Sequence, residues 1–393
     1  MKPSASHYKR DTFLPFSPPD ISEQEIEAVV DTLRSSWITT GPKTKDFEGK
    51  FSAYVESPGG LALNSCTAGL HLALATINIG PGDEVITTPM TFCSSVNVIE
   101  HVGATPILVD VLPDTLTIDP DQVAVAITPR TKAILPVHYA GHPCEMDALQ
   151  KLAEEHGLAI IEDAAHALPA KYKGKMIGGL NNLTAFSFYA TKNLTTAEGG
   201  MLTGDPELLT RARMLSLHGM SRDAWNRYSA NGSWYYEVVS PGFKYNMTDI
   251  QAALGLVQLQ RINEMQAHRR HVVTQYTDAF GNMPELQVPI EKPEVEHAWH
   301  LYVLRLNLDR LSIDRGQFIT ELKERNIGSS VHFIPVHMHP YYSDKYGWQP
   351  EDFPIAYHEF QRVVSLPLNS TLSDEDIESV IAAVTDIVET FRL

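Results

Sequence analysis

A chain of 393 residues has room for two domains, or for one large core with a smaller appended unit. Its net charge of −17 offers no attraction to a nucleic-acid backbone or an anionic membrane, although a local basic pocket for a small anion is not excluded. Three scattered cysteines (Cys66, Cys93, Cys144), no signal-peptide core before Asp20 and no apolar run of about 18 residues exclude a disulfide framework, a zinc knuckle and a bilayer span, so a cytoplasmic protein is expected.

In chain order, Ser22-Glu-Gln-Glu25 has the form of a capping box and predicts a helix with Ile26, Val29, Val30 and Leu33 on one face. Asn64 to His71 is a small-residue turn feeding a helix predicted over 71–77. Backbone N–H groups at such a start, with hydroxyls beside them, cradle a phosphate; capping of a structural helix accounts for the same residues. Buried strands are predicted at 84–88, 106–110, 132–137 and 158–162, with helices at 94–101, 119–127 and 145–156 between them. Such alternation implies a parallel sheet covered on both faces, an α/β architecture.

Glu162-Asp163-Ala-Ala-His166 closes the last of these strands and places Asp163 at its carboxyl end, the edge where open α/β sheets bind ligands. A carboxylate there suits a protonated ring nitrogen, and a helix N-cap is the competing reading. Phe92, in the loop after the 84–88 strand, is either a platform for a planar ring or a core residue. The run Ala185-Phe-Ser-Phe-Tyr-Ala-Thr-Lys-Asn193 carries the Ser187 hydroxyl and then delivers Lys192 into a polar turn before Glu198-Gly-Gly200. A lysine at the end of a buried strand is poorly hydrated, which favours the neutral nucleophilic amine and Schiff-base chemistry.

A helix is predicted over 206–217, and Thr248-Asp249 as the N-cap of another through Ala252, Leu256 and Leu259. After Pro284 the pattern becomes strand 300–306, helix 315–325, strand 329–332 and a last helix capped at Ser373. That suits a smaller α+β domain, with a division into 1–255 and 256–393. His332, His337 and His339 lie close enough in sequence to raise the question of zinc. Pro335 interrupts them, and strand geometry would send His332 away from the other two, so no metal is expected.

A phosphate cup, an aromatic platform, a strand-end aspartate, Ser187 and a Schiff-base lysine are together what pyridoxal 5′-phosphate (PLP) requires. No G-x-G-x-x-G follows the first strand, which disfavours a dinucleotide site.

The motifs Gly41-Pro42, Asn64 to Leu70, Gly80-Pro-Gly-Asp-Glu-Val85, Glu162 to His166, Phe186 to Asn193, Glu198 to Gly200 and Gly242-Phe-Lys-Tyr-Asn-Met-Thr-Asp249 resemble those of the DegT/StrS family of aminotransferases acting on nucleotide-linked keto sugars. The resemblance implies a fold-type I PLP transferase with a mainly parallel central sheet flanked by helices. It implies that Lys192 carries the cofactor, Asp163 meets the ring nitrogen, and Phe92 lies against the ring. Thr67, Ala68 and Ser187 would bind the phosphate, and Asn246 would reach the phosphate in a neighbouring subunit of a homodimer. His166 stands where the family commonly has glutamine, and His332 is the residue expected to contact substrate. Glutamate would donate the amine, leaving 2-oxoglutarate and pyridoxamine phosphate (PMP). Pro136-Val-His-Tyr-Ala-Gly141 and His297-Ala-Trp-His300 look most like the enzymes that aminate UDP-4-keto-pentose to 4-amino-4-deoxy-arabinose for lipid A. Sugar dehydratases of the same scaffold replace the lysine with histidine, and a non-catalytic regulator would not need the complete set; both stand as alternatives.

Overall fold

The capping box at Ser22 forms as its spacing predicts. The Glu25 carboxylate accepts from the Ser22 backbone N–H (2.8 Å), opening α1 (Glu23–Arg34). Its other oxygen accepts from Gln258 and Arg261, tying α1 to a long helix far along the chain. This computed structural model describes residues 8–220 and 235–393.

After α2 (Pro42–Tyr54), strands and helices alternate: β1 (Gly60–Leu63), α3 (Cys66–Thr76), β2 (Glu84–Thr87), α4 (Ser94–His101), β3 (Thr105–Leu108), α5 (Pro120–Ala126), β4 (Thr131–Ile134), α6 (Met146–His156) and β5 (Ala159–Asp163). The short strands β6 (Lys171–Tyr172) and β7 (Lys175–Met176) form a hairpin, followed by β8 (Leu183–Ser187), β9 (Gly200–Thr203) and α7 (Pro206–Leu215). The seven-stranded sheet has the order β1-β9-β8-β5-β4-β2-β3, and β9 alone runs against its neighbours. The carboxyl ends of β1, β2, β5 and β8 therefore share one edge, and β9 begins there. The expected α/β class, with a mainly parallel sheet flanked by helices, is the one observed.

Helix α3 starts at Cys66, five residues before the predicted 71, because Ser65 rather than a later residue supplies the N-cap. Phe47, Phe51, Phe186 and Phe188 are fully buried between α2 and the sheet, edge to face.

Thr248 and Gln251 form a second capping box and open α8 (Asp249–Phe280). Beyond it come β10 (Leu286–Gln287), β11 (Val295–Glu296), β12 (Tyr302–Leu306), α9 (Arg315–Glu324), α10 (Pro340–Tyr346), α11 (Pro354–Arg362), β13 (Val363–Leu366) and α12 (Asp374–Phe391). Strands β10, β12 and β13 make an antiparallel sheet, and β11 pairs back onto β6. The division drawn at 255/256 falls inside α8. Its first half (Ala252, Leu259, Ile262, Met265) packs in the core of the large sheet, and its second half (Val272, Tyr276, Phe280) in the core of the small one. The strand expected at 329–332 is reduced to a single bridge between Ser330 and Ser365. Ser365 pairs with Val303 on its other side, and past Ser330 the chain leaves the sheet and brings His332 and Phe333 to the large sheet's edge.

Candidate active site

The carboxyl edge of the large sheet opens into a cavity of about 510 Å³. Thr67, Phe92, Asp163, His166, Ser187, Lys192 and His332 all line it, although they lie on five separate segments of the chain. Ala68 and Asn246 do not line it. The Ala68 N–H is spent on the Ser65 hydroxyl (3.1 Å), and the Asn246 amide donates to the Thr40 hydroxyl (2.7 Å).

The floor is the N-terminus of α3. Ser65 caps it through Ala68, which leaves the first-turn N–H groups of Cys66 and Thr67 without intrahelical partners. Gly200, at the start of β9, lies between Leu63 and Ser187 in register. A Cβ there would sit 2.4 Å from the Ser65 carbonyl carbon and 2.5 Å from the Cys66 nitrogen. Only glycine lets the strand pass so closely beneath the helix start. A helix start with free N–H groups and no side chain beneath it can take an anion.

Asp163 ends β5 and is 4% exposed. Its Oδ2 accepts from the Ser95 hydroxyl (2.7 Å), and its Oδ1 from the Ala165 N–H (3.0 Å). Ser95 is linked in turn to the Thr91 hydroxyl (2.8 Å). Two fixed donors orient the carboxylate, which lines the cavity. On the other side of β5, Glu162 is fully buried and accepts from Asn182 (2.9 Å) and Thr184 (3.2 Å). It also accepts from Nε2–H of His138 (2.8 Å), whose Nδ1 takes the Cys144 N–H (3.0 Å). An imidazole accepting at Nδ1 is neutral, so this is a neutral-to-charged hydrogen bond that braces the strand carrying Asp163.

Lys192 sits in the turn after β8, its N–H on the Tyr189 carbonyl (2.9 Å). Burial brings its pKa down to about 8, against the opposing pull of Cys66 and Asp163. Near neutrality an appreciable fraction is thus the free amine. Phe92 is 61% exposed, so it is a ring presented to the cavity rather than a core residue. His166 lies between two rings, 4.4 Å from that of His300 and stacked at 5.7 Å on that of Phe333. Its Nδ1 is buried with no hydrogen-bond partner, and burial pushes its pKa well below the usual value. A buried nitrogen left unpaired beside a cavity suits a ligand that supplies the missing partner.

His332 stacks on Phe16 (5.6 Å) and bonds the Ser365 hydroxyl through Nδ1 (2.8 Å); burial lowers its pKa to about 4. His337 turns away onto Phe353 and the Pro350 carbonyl, and His339 precedes α10. Among the described residues no group of three or more potential ligands is placed to hold a metal ion.

The anion cradle, the unpaired His166 nitrogen, the caged carboxylate and the depressed lysine together fit PLP. Lys192 would hold it covalently, Asp163 would meet its ring nitrogen, and the α3 start with Ser187 would take its phosphate. Four residues of this site were not singled out from sequence. Ser95 and Phe333 carry no motif of their own, and Asn193 and His300 were seen only as parts of Phe186 to Asn193 and His297-Ala-Trp-His300.

The sequence profile of the DegT/DnrJ/EryC1/StrS aminotransferase family matches residues 19–385. The spore coat polysaccharide biosynthesis protein SpsC of Bacillus subtilis is 54% identical over 383 residues, 97% of this chain and 98% of its own. Spr1654 of Streptococcus pneumoniae has been solved in a PLP form with a TM-score of 0.90 at 40% identity, covering 96% of this chain and 99% of its own, and also in a PMP form. PseC of Helicobacter pylori, an aminotransferase involved in the biosynthesis of pseudoaminic acid, aligns with a TM-score of 0.88 at 28% identity over 97% of this chain and 100% of its own.

Proposed function

Because the chain belongs to the DegT/DnrJ/EryC1/StrS aminotransferase family, and is a PLP-dependent enzyme that transfers an amino group to a sugar, we propose that its substrate is a nucleotide-linked 4-keto sugar. The amine comes from glutamate, and the product is a 4-amino-sugar nucleotide for a cell-surface polysaccharide. A UDP-4-keto sugar is the favoured acceptor. The observation that carries this reading is that Lys192, in the turn after β8, and Asp163, at the end of β5, line one cavity together with the start of α3. The relatives' part in spore coat polysaccharide and pseudoaminic acid biosynthesis supports a surface-glycan product. Three unpaired cysteines support a reducing, cytoplasmic setting, and no helix among the described residues is long and apolar enough to cross a membrane.

PLP, when bound, supplies a carrier for the amino group and an electron sink for the carbon that loses its proton. The residues do the rest. Asp163, with both oxygens already directed by Ser95 and Ala165, keeps a proton on the facing ring nitrogen. Lys192 Nζ tethers the cofactor between turnovers. When not tethering the cofactor, Nζ would be the base that takes a proton from one carbon and the acid that returns it to another, a role its pKa of about 8 suits. His332 and Phe333, arriving from the small domain, complete the cavity wall.

A homodimer completes the site in this reading. Asn246 is turned from the cavity of its own chain, and Ile21, Ile26, Leu33, Trp37 and Ile38 leave an apolar surface exposed nearby in sequence to Thr40, its partner. The test is a panel of UDP-, dTDP- and GDP-linked 4-keto sugars with glutamate, followed by mass. An amine product from at least one of them is expected; none from any would end the nucleotide-sugar assignment.

A further inference from the structure

Lys192 has a neighbour that the chemistry above leaves unused. Its Nζ lies 3.4 Å from His300 Nε2, and His300 is 5% exposed. The other ring nitrogen, Nδ1, is 3.1 Å from Asn193 Oδ1. Asn193 is itself buried, and its Nδ2 donates to two carbonyls, those of Leu168 (2.9 Å) and Ala298 (2.8 Å). Both amide hydrogens are thereby consumed, and the amide cannot flip. Oδ1 must then face the imidazole and can only accept, so Nδ1 carries the proton. Nε2 is left with a lone pair aimed at Lys192. The direction of every bond in the series follows from two backbone carbonyls.

The scaffold under His300 is equally fixed. Its N–H donates to the Ala140 carbonyl (3.1 Å), and Ala298 N–H to that of Gly141 (2.9 Å). Gly141 has φ +101°, and a Cβ there would stand 2.8 Å from the His166 carbonyl and 3.2 Å from the His300 nitrogen. The segment from the small domain is thus seated backbone to backbone against the large one, with His300 at its tip.

We propose that Asn193 and His300 form a tautomer-locked relay in which the His300 Nε2 lone pair holds one N–H of Lys192. His300 is a positioning residue: it acts on the cofactor through the lysine. With one N–H anchored, the remaining valences of Nζ face the cavity. When Nζ gains a proton it has a fixed hydrogen-bond acceptor, so the lysine moves between amine and ammonium without leaving its position. Nothing is transferred to His300, which stays neutral. Burial and the nearby charge of Lys192 disfavour its imidazolium, as do His166, Arg269 and His332 around it. The other ionisable groups facing Lys192 are Cys66, Asp163, His166 and His332. The inference rests on Lys192 being the reactive amine, and not on the identity of the sugar.

Two measurements on the full chain test it without substrate. Competitive acetylation of the cofactor-free protein, read by mass at Lys192, gives the midpoint at which the amine becomes nucleophilic. His300→Leu removes the acceptor, so the midpoint should fall by about one pH unit, a tenfold change in proton affinity. His300→Gln, which again offers an oxygen acceptor, should recover at least half of that shift. A midpoint unchanged in His300→Leu overturns the proposal. The second needs no variant, in case His300→Leu does not fold. Nitrogen NMR of the labelled native chain should show His300 neutral with its proton on Nδ1 from pH 6 to 9. A proton on Nε2, or an imidazolium in that range, overturns it as well. Both readouts are independent of the acceptor panel, so failure here and failure of the nucleotide-sugar assignment are separable.

Discussion

Replacing Asp163 by asparagine keeps the shape of the side chain and removes its charge at the end of β5. The site around it survives the change. Ser95 and Ala165 still point their donors at the position (2.7 and 3.0 Å in the native chain), and the Ser95 hydroxyl can turn to accept from the new amide. The cofactor-free variant should unfold close to the native midpoint, since the asparagine keeps a hydrogen-bond partner for Ser95 and Ala165 and only the coupling to Lys192 is lost. Catalysis is another matter. Asp163 is 4% exposed, so its partner's charge is screened little, and losing one member of a buried pair costs about 3–5 kcal/mol. At 1.36 kcal/mol per decade this slows proton removal by about 10² to 10⁴. The assay is stopped-flow mixing with glutamate, following loss of the near-visible absorption of the lysine-bound cofactor. A fall of less than about fivefold, with the cofactor still attached to Lys192, would refute the role given to Asp163.

Lys192→Ala should abolish turnover and the near-visible band while leaving the far-ultraviolet circular dichroism unchanged; transamination at the native rate would contradict the central assignment. Gly200→Ala forces a Cβ to 2.4 Å from the Ser65 carbonyl carbon and must displace the start of α3, so dialysis should strip PLP from the variant at least tenfold faster. Asn246→Ala should loosen cofactor retention in the dimer, measured by the same dialysis, and unchanged retention removes Asn246 from the site. Acid should destabilise the fold through buried histidines. His332 is lowered from 6.5 to about 4, and His166 and His300 are also lowered, so the unfolded chain binds more protons. Their contribution is full above about pH 6.5 and is lost as pH falls toward about 4, about 3 kcal/mol for His332 alone. Urea midpoints from pH 7.5 to 5 should fall accordingly; a flat profile would show that these histidines accept protons in place.

Asp163 was legible in the sequence because it closes a continuous apolar strand, and Lys192 because it follows a buried strand into a polar turn; strand ends in a parallel sheet share an edge. The same logic reached Ser187 and Phe92. The capping boxes at Ser22 and Thr248 were legible because their partners lie three residues away. What depends on distant partners was not. His300 is 108 residues from Lys192, and its meaning comes from Asn193, whose orientation is set by carbonyls at Leu168 and Ala298. Ser95 reaches Asp163 across 68 residues. The early start of α3 was missed because a serine, with small residues after it, reads equally as a turn. The strand expected at 329–332 keeps only the Ser330–Ser365 bridge, because the chain there turns to bring His332 and Phe333 to the cavity. The division at 255/256 used a change of texture, and α8 runs through it because one continuous helix serves both cores.

The most direct test follows one nitrogen atom. The PLP-loaded protein is mixed with ¹⁵N-glutamate, freed of excess donor, and given a UDP-4-keto sugar. The ¹⁵N label should appear once, at C4 of the product, in native protein and not in Lys192→Ala. Label retained by the protein after exposure to every 4-keto nucleotide sugar, or delivered equally by the Lys192 variant, would contradict the account.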